Sequence, residues 1–187
     1  MLLRQQTRAT VLLSGGIDSA SCAHLLQHSG AEVRALFVDH GQAAAGREAV
    51  ASAAVAEHLA IPLETCRVSN PRRLGAGELL GRNPMLLFNA LFLTQGLTDF
   101  IALGLHAGVP YYDCSEAFAS SAKRMLGELT DGRVSLVVPF ISWTKREVFD
   151  YFLTTGLPLA STYSCESGSD PACGICASCR DRKALGC

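Results

Sequence analysis

The sequence has almost no net charge, few aromatic residues and no long apolar run, and two of these shortages each exclude a class of function. Sixteen Lys and Arg stand against seventeen Asp and Glu, a formal net charge of −1. That balance leaves no basic footprint for duplex nucleic acid and no attraction to an anionic membrane surface. No apolar stretch reaches the ~18 residues of a membrane span; Met85 to Leu93 comes nearest, and Asn89 interrupts it. The segment MLLRQQTRAT carries basic residues without a long apolar stretch behind them, because Val11, Leu12 and Leu13 stop at Ser14. No secretory signal is expected from that pattern. The expected setting is the cytoplasm, where clustered thiols among the eight cysteines bind metal more often than they pair.

What is present is an ordinary globular balance: 187 residues, 49% hydrophobic and 18% charged. A chain of that size can bury about 70% of its unfolded surface without disulfide staples. Local patterns alternate between strand and helix. Ala9–Leu13 predicts a strand, Ser19–Gln27 a helix closed by Gly30, Glu32–Val38 a strand, and Arg47–Ala60 a helix stopped by Pro62. From Cys66 to Pro84 the glycines and prolines predict a long loop. Beyond it the pattern predicts helix 85–95, strand 100–105, helix 116–129, strand 134–139 and helix 145–155. The fold class is therefore α/β, a doubly wound parallel sheet covered on both faces. Residues 1–160 would form the main domain and residues 161–187 a small element packed on it. Ligands in such sheets sit beyond the carboxyl ends of the strands.

The first chemical motif stands at such an end. Ser14-Gly15-Gly16-Ile17-Asp18-Ser19 follows the first strand and opens the first helix. Glycines permit a tight turn and close approach of a ligand, and the helix start offers free N–H groups and a positive dipole end. Ser14 and Ser19 add hydroxyls, and Asp18 suits a magnesium ion bridging phosphate oxygens. No Gly-Lys-Ser/Thr follows, so this is not a Walker-type loop. A plain glycine turn with an N-cap residue is the structural alternative.

The second motif is Cys165-x7-Cys173-x2-Cys176-x2-Cys179, four thiols within fifteen residues, with Gly168, Pro171 and Gly174 shaping the turns. The spacing suits a tetrahedral structural zinc site, with an iron–sulfur cluster as the rival.

SGGxDS is the signature of the ATP pyrophosphatase (PP-loop) superfamily, which this chain resembles; the resemblance implies a Rossmann-like fold using ATP and Mg2+. The further segments Asp39-His40-Gly41-Gln42, Arg82-Asn83, Asp113-Cys114, Thr144-Lys145-Arg146-Glu147 and the cysteine run resemble the 7-cyano-7-deazaguanine synthase family, in its order and over nearly the whole chain. The resemblance implies an ATP-dependent carbon–nitrogen ligase. Its members activate the carboxylate of 7-carboxy-7-deazaguanine, add ammonia, and dehydrate the amide to the nitrile. It implies ATP contacts at Leu13, Ser14, Gly15, Gly16, Ile17, Asp18, Ser19, Asp39, Gly41 and Gln42, with Asp18, Ser19, Asp39 and Lys145 in catalysis. Arg82, Asn83, His106, Asp113 and Cys114 would meet the deazapurine, and Cys165, Cys173, Cys176 and Cys179 would hold Zn2+. A homodimer is also implied.

Departures from the family pattern gather around the base pocket. The chain is short between Cys66 and Arg82 and again at Gly108–Asp113, and Ser115-Glu116-Ala117-Phe118 displaces an acidic residue by one. Glu166 follows Cys165 where an aromatic is usual, and Ala43-Ala44-Ala45 follows Gln42 where basic residues are usual. Two alternatives keep adenylation and change the acceptor: a partner protein's amine, as in deazaguanine synthase-like defence proteins, or a tRNA in a thiolation enzyme. The absence of a basic stripe weighs against tRNA. His24, His28 and His58 read as surface or capping residues, Cys22 as core and Trp143 as a packing anchor.

Overall fold

A computed structural model of the chain describes residues 6–69, 71, 74, 75 and 77–187. Its sheet has five parallel strands: β1 (Arg8–Leu12), β2 (Glu32–Asp39), β3 (Leu63–Arg67), β4 (Phe100–Ala102) and β5 (Ser135–Val137). Their order is β3-β2-β1-β4-β5, so the chain moves outward in one direction from β1 to β3 and in the other from β4 to β5. The reversal falls between β1 and β4, the switch point where an open α/β sheet leaves a crevice. Central β1 reads RATVL and is buried from Ala9 to Leu12, as a strand covered on both faces must be.

Helices α1 (Ile17–His28), α2 (Ala45–His58) and α5 (Lys145–Thr154) lie on one face. There Val11, Val33, Ala35 and Ala102 pack with Ile17, Val55, Phe149 and Phe152. Helices α3 (Arg82–Thr94) and α4 (Glu116–Leu129) cover the other face, where Leu12, Leu36, Val38 and Ile101 pack with Leu87, Phe118 and Leu126. Adjacent residues of one strand thus serve opposite cores, the period-two rule of a pleated strand. Cys22 is fully buried, and Trp143 packs at a tilt against Phe140 and edge-on against Tyr151.

The structure differs from the sequence pattern in four places. Strand β3 takes Leu63–Thr65, to which the pattern assigns no element, and the first two residues of the stretch that reads as loop; as an edge strand, its LETCR sequence has only partly buried and exposed residues and so lacks an apolar signature. Arg82, Asn83 and Pro84 belong to the first turn of α3, where a proline's missing N–H loses nothing. Strand β4 ends at Ala102; the Leu103 amide makes one more bond to Val137 O at 3.1 Å, and residues 103–105 line a cavity. The tail carries a sixth helix, α6 (Ala177–Leu185), with no buried residue.

That tail is tied back by polar contacts. The Tyr163 amide donates to Gly15 O at 2.9 Å, the Gly77 amide to Glu166 Oε2 at 3.0 Å, and Arg47 pairs with Asp170.

Candidate active site

Two close approaches set the shape of the glycine loop. Gly15 has φ +74°, and a Cβ there would stand 2.6 Å from Ala51 Cβ and 2.7 Å from the Ser52 amide nitrogen. A Cβ on Gly104 would lie 2.6 Å from Asp18 O, so the tip beyond β4 presses directly on the start of α1. Ser52 donates from its hydroxyl to Leu13 O at 2.9 Å and locks α2 to the end of β1.

Within the loop, Ser19 Oγ accepts from the Ser14 amide at 3.2 Å and donates to Gly16 O at 3.2 Å. The first helical bond runs from the Ala20 amide to Gly16 O at 3.0 Å. Helix geometry therefore leaves the amides of Ile17, Asp18 and Ser19 without carbonyl partners. They open on a cavity of about 290 Å³ beyond the strand ends, the size of a small-molecule site.

Across the cavity Lys145, the first residue of α5, reaches Asp18. Its Nζ donates to Oδ1 at 2.7 Å and to Oδ2 at 2.6 Å. Thr144 caps that helix in a capping box with Glu147, which fixes where Lys145 starts. His106 stands behind the pair, with Nε2 3.9 Å from Asp18 Oδ2.

Of the residues singled out by sequence, Leu13, Ser14, Gly16, Ile17, Asp18, Ser19, Gln42, Arg82, Asn83 and Lys145 line this cavity. Gly15 shapes it from behind. Asp39 does not line it: its Oδ1 accepts from the Gly41 amide at 3.0 Å and its Oδ2 lies 3.5 Å from Arg67, a turn-residue arrangement. Gly41, His106, Asp113 and Cys114 are likewise outside the lining. Asp113 and Cys114 act one step back, on Asn83. Asp113 Oδ2 accepts from the Asn83 amide at 3.2 Å and its carbonyl from Asn83 Nδ2 at 2.9 Å, while Cys114 Sγ is 3.5 Å from that Nδ2. Burial, then the neighbouring Asp113, push the Cys114 thiol above its ordinary value, so it stays protonated.

Sequence reasoning missed Glu48, Tyr163, Glu166, Ser178 and Arg182, all of which line the cavity. Glu48 Oε2 accepts from Gln42 Nε2 at 2.7 Å, and Gln42 Oε1 accepts from the His40 amide at 2.9 Å. One glutamine side chain thereby fixes both neighbours. Burial pushes the Glu48 carboxyl up, and the Gln42 hydrogen bond works against it. His40 is 8% exposed, donates through Nδ1 to Val38 O at 3.3 Å, and has no partner at Nε2 among the described residues.

In the tail, the sulfurs of Cys165, Cys173, Cys176 and Cys179 all lie within 4.8 Å of one another, and Cys173 and Cys179 stand 3.9 Å apart. Such a set could hold a metal ion. Burial raises the Cys165 thiol, but hydrogen bonds from the Cys173 amide and Ser167 outweigh it and bring it down to about 4, whereas burial and the neighbouring Cys176 push Cys179 up to about 12. Glu166 Oε1 accepts from the Ser178 amide and hydroxyl, each at 3.0 Å, and so joins the cysteine loop to α6. No helix among the described residues is long and apolar enough to cross a membrane.

Residues 8–85 and 79–185 match the family model described as queuosine biosynthesis protein QueC. A 7-cyano-7-deazaguanine synthase of Koribacter versatilis (strain Ellin345) is 34% identical over 92% of this chain and 85% of its own. A synthase of the same name from Synechococcus sp. (strain CC9605) is 32% identical over 96% and 92%. Among solved structures, the U34-tRNA thiolase NcsA from Methanococcus maripaludis, with its 4Fe-4S cluster, superposes with a TM-score of 0.58 at 17% identity, over 98% of this chain and 69% of that one. That likeness is one of fold. With nearly every residue inside the family match and relatives above 30% identity aligned along nine-tenths of its length, the chain belongs to the queuosine biosynthesis protein QueC family.

Proposed function

We propose that the chain is an ATP-dependent ligase that adenylates the carboxylate of 7-carboxy-7-deazaguanine and, with ammonia, forms 7-cyano-7-deazaguanine. The observation that carries this reading is the glycine loop with its free helix-start amides, opening on the cavity that Lys145 and Asp18 also line.

A carboxylate resists attack because it is charged and has no good leaving group. Its oxygen bonds to the α-phosphorus of ATP, the bond from that phosphorus to the bridging oxygen breaks, and pyrophosphate departs. The amides of residues 17–19 are placed to receive the negative charge that gathers on the departing group. Lys145 adds a cation at the same end. A magnesium ion, when bound, neutralises phosphate charge, and Asp18 is the carboxylate that would hold it. Ammonia then displaces AMP to give the amide. A second adenylation, on the amide oxygen, lets AMP leave with that oxygen and gives the nitrile.

The thiolates of Cys165, Cys173, Cys176 and Cys179 would hold zinc as a structural ion. Zn–S bonds of about 2.3 Å in a tetrahedron put sulfurs about 3.8 Å apart. The 3.9 Å between Cys173 and Cys179 supports a single ion. A 4Fe-4S cluster sets each thiolate on a different iron and calls for a wider set. On this reading residues 161–187 are a metal-held element that closes the cavity of the domain formed by residues 1–160.

The test supplies the protein with 7-carboxy-7-deazaguanine, ATP, magnesium and ammonium and follows products by mass. A product one water lighter than the amide is expected, with AMP and pyrophosphate released only when the acid is present. Lys145→Ala should slow that release by roughly 10²–10³-fold. Absence of acid-dependent pyrophosphate release sinks the reading.

A further inference from the structure

Arg182 lies on α6, about one turn beyond Cys179, and lines the same cavity as the glycine loop. Its Nη2 donates to Thr162 Oγ1 at 2.6 Å and its Nε to Ser164 Oγ at 3.1 Å. Both partners are neutral. Among the described residues no carboxylate oxygen lies within 4.0 Å of this guanidinium. Burial works against its charge, and the more distant Cys187, Cys179 and Asp18 offset that only in part. An arginine keeps its proton regardless, so a partly buried guanidinium without an anion is an arrangement waiting for one.

The anion it can reach is set by Ser164. A Cβ on Gly16 would stand 3.8 Å from Ser164 Oγ and 3.6 Å from Tyr163 O, so the serine that Arg182 grips lies against the glycine loop. One neutral side chain therefore lies between the guanidinium and the glycine loop at Gly16. We propose that Arg182 is a phosphate-binding cation of the nucleotide site, carried from the tail to the glycine loop and aimed by the metal on its own helix. Its planar fork keeps free N–H donors for phosphate oxygens after serving Thr162 and Ser164. Because α6 has no buried residue and rests only the partly buried Leu185 on the core, the cysteine ligands and a few polar contacts do most to hold it in place. The metal, although remote from the reacting atoms, thus sets nucleotide affinity. This rests on the adenylating function proposed above, whose phosphates it assigns to a second cation.

Calorimetry on the full chain with ATP, inorganic pyrophosphate and adenosine tests it, with metal content measured for each variant. Arg182→Ala should weaken ATP and pyrophosphate about tenfold or more and leave adenosine unchanged. Arg182→Lys, which keeps a point charge and loses the fork, should fall between. Ser164→Ala, which keeps the whole guanidinium, should lose less than Arg182→Ala. Metal-stripped parent protein should bind ATP as weakly as Arg182→Ala, and stripping that variant should cost nothing more. The proposal is overturned if Arg182→Ala, with full metal content, binds ATP and pyrophosphate within twofold of the parent. Should Arg182→Ala lose its metal, Arg182→Lys with metal retained decides, and parental affinity there overturns it. Equal losses on stripping parent and variant overturn the metal's part. If the parent binds neither ATP nor pyrophosphate, the adenylating function itself fails and the inference falls with it.

Discussion

The cavity has one wall made by the glycine loop, residues 14–19, and another made by tail residues 163–182. The loop continues into α1, where Ile17, Ser19, Ala20, Ser21, Cys22 and Ala23 are all buried. The tail continues into α6, which has no fully buried residue and rests only the partly buried Leu185 on the domain core. Each fully buried large apolar side chain contributes about 1.5–3 kcal/mol, so the loop inherits its rigidity from the domain core. The tail draws little on that source. Structural zinc in small peptides supplies about 10–16 kcal/mol of apparent binding free energy, ample to fold a segment that packing cannot. Two walls of one site can thus rest on different physics, and they should fail separately.

Breaking the four-thiol wall should produce the largest effect. Cys176→Ser is expected to abolish metal binding, expose residues 163–187 to limited proteolysis and remove activity, while the main unfolding transition stays close to that of the parent. Metal analysis, proteolysis and a melt check this together. Collapse of the whole domain would show that the tail supports the sheet after all.

Breaking the core wall should cost stability instead. Gly15→Ala forces an L residue to φ +74° and drives a Cβ against Ala51 and Ser52. A loss of about 2–4 kcal/mol is expected in denaturant unfolding, with metal content unchanged. Gly104→Ala meets the Asp18 carbonyl but carries no φ penalty, so about 1–3 kcal/mol is expected.

The smallest effect is a pH dependence at His40, a buried residue that lines the cavity. Burial holds its pKa below the ordinary value; the Val38 carbonyl opposes this and Arg82 adds to it. The unfolded chain therefore takes up the proton first. Stability from this group is complete above about pH 6.5 and is lost as pH falls from there toward the folded pKa. His40→Gln should flatten that acid limb in melts taken across pH 5–7, and an unchanged slope would contradict it.

The core wall was legible because its chemistry is local. Ser14 to Ser19 are contiguous, and the turn, the helix start and the hydroxyls all follow from their order. Helix α4 matched its predicted bounds because Ser115 caps it, accepting from the Phe118 amide at 3.1 Å, and because its apolar spacing is regular. Strand β3 was hidden by its edge position, and α6 by having no apolar face. Glu48 and Arg182 gave no signal: a glutamate on a helix and an arginine in a charged tail read as solvated. Asp39 shows the converse, since a strand-end acid beside a glycine satisfied its own turn.

Order along the chain determined the alternating α/β architecture, the helix-start amides of the glycine loop and the four-thiol set, because each depends on spacing between near neighbours. Tertiary structure alone decided that Lys145 takes both oxygens of Asp18, that Asp113 serves Asn83, and that Arg182 lines the same cavity as the glycine loop. Those pairings span 30 to more than 160 residues of chain. Only the strand order and the docking of the tail close such distances.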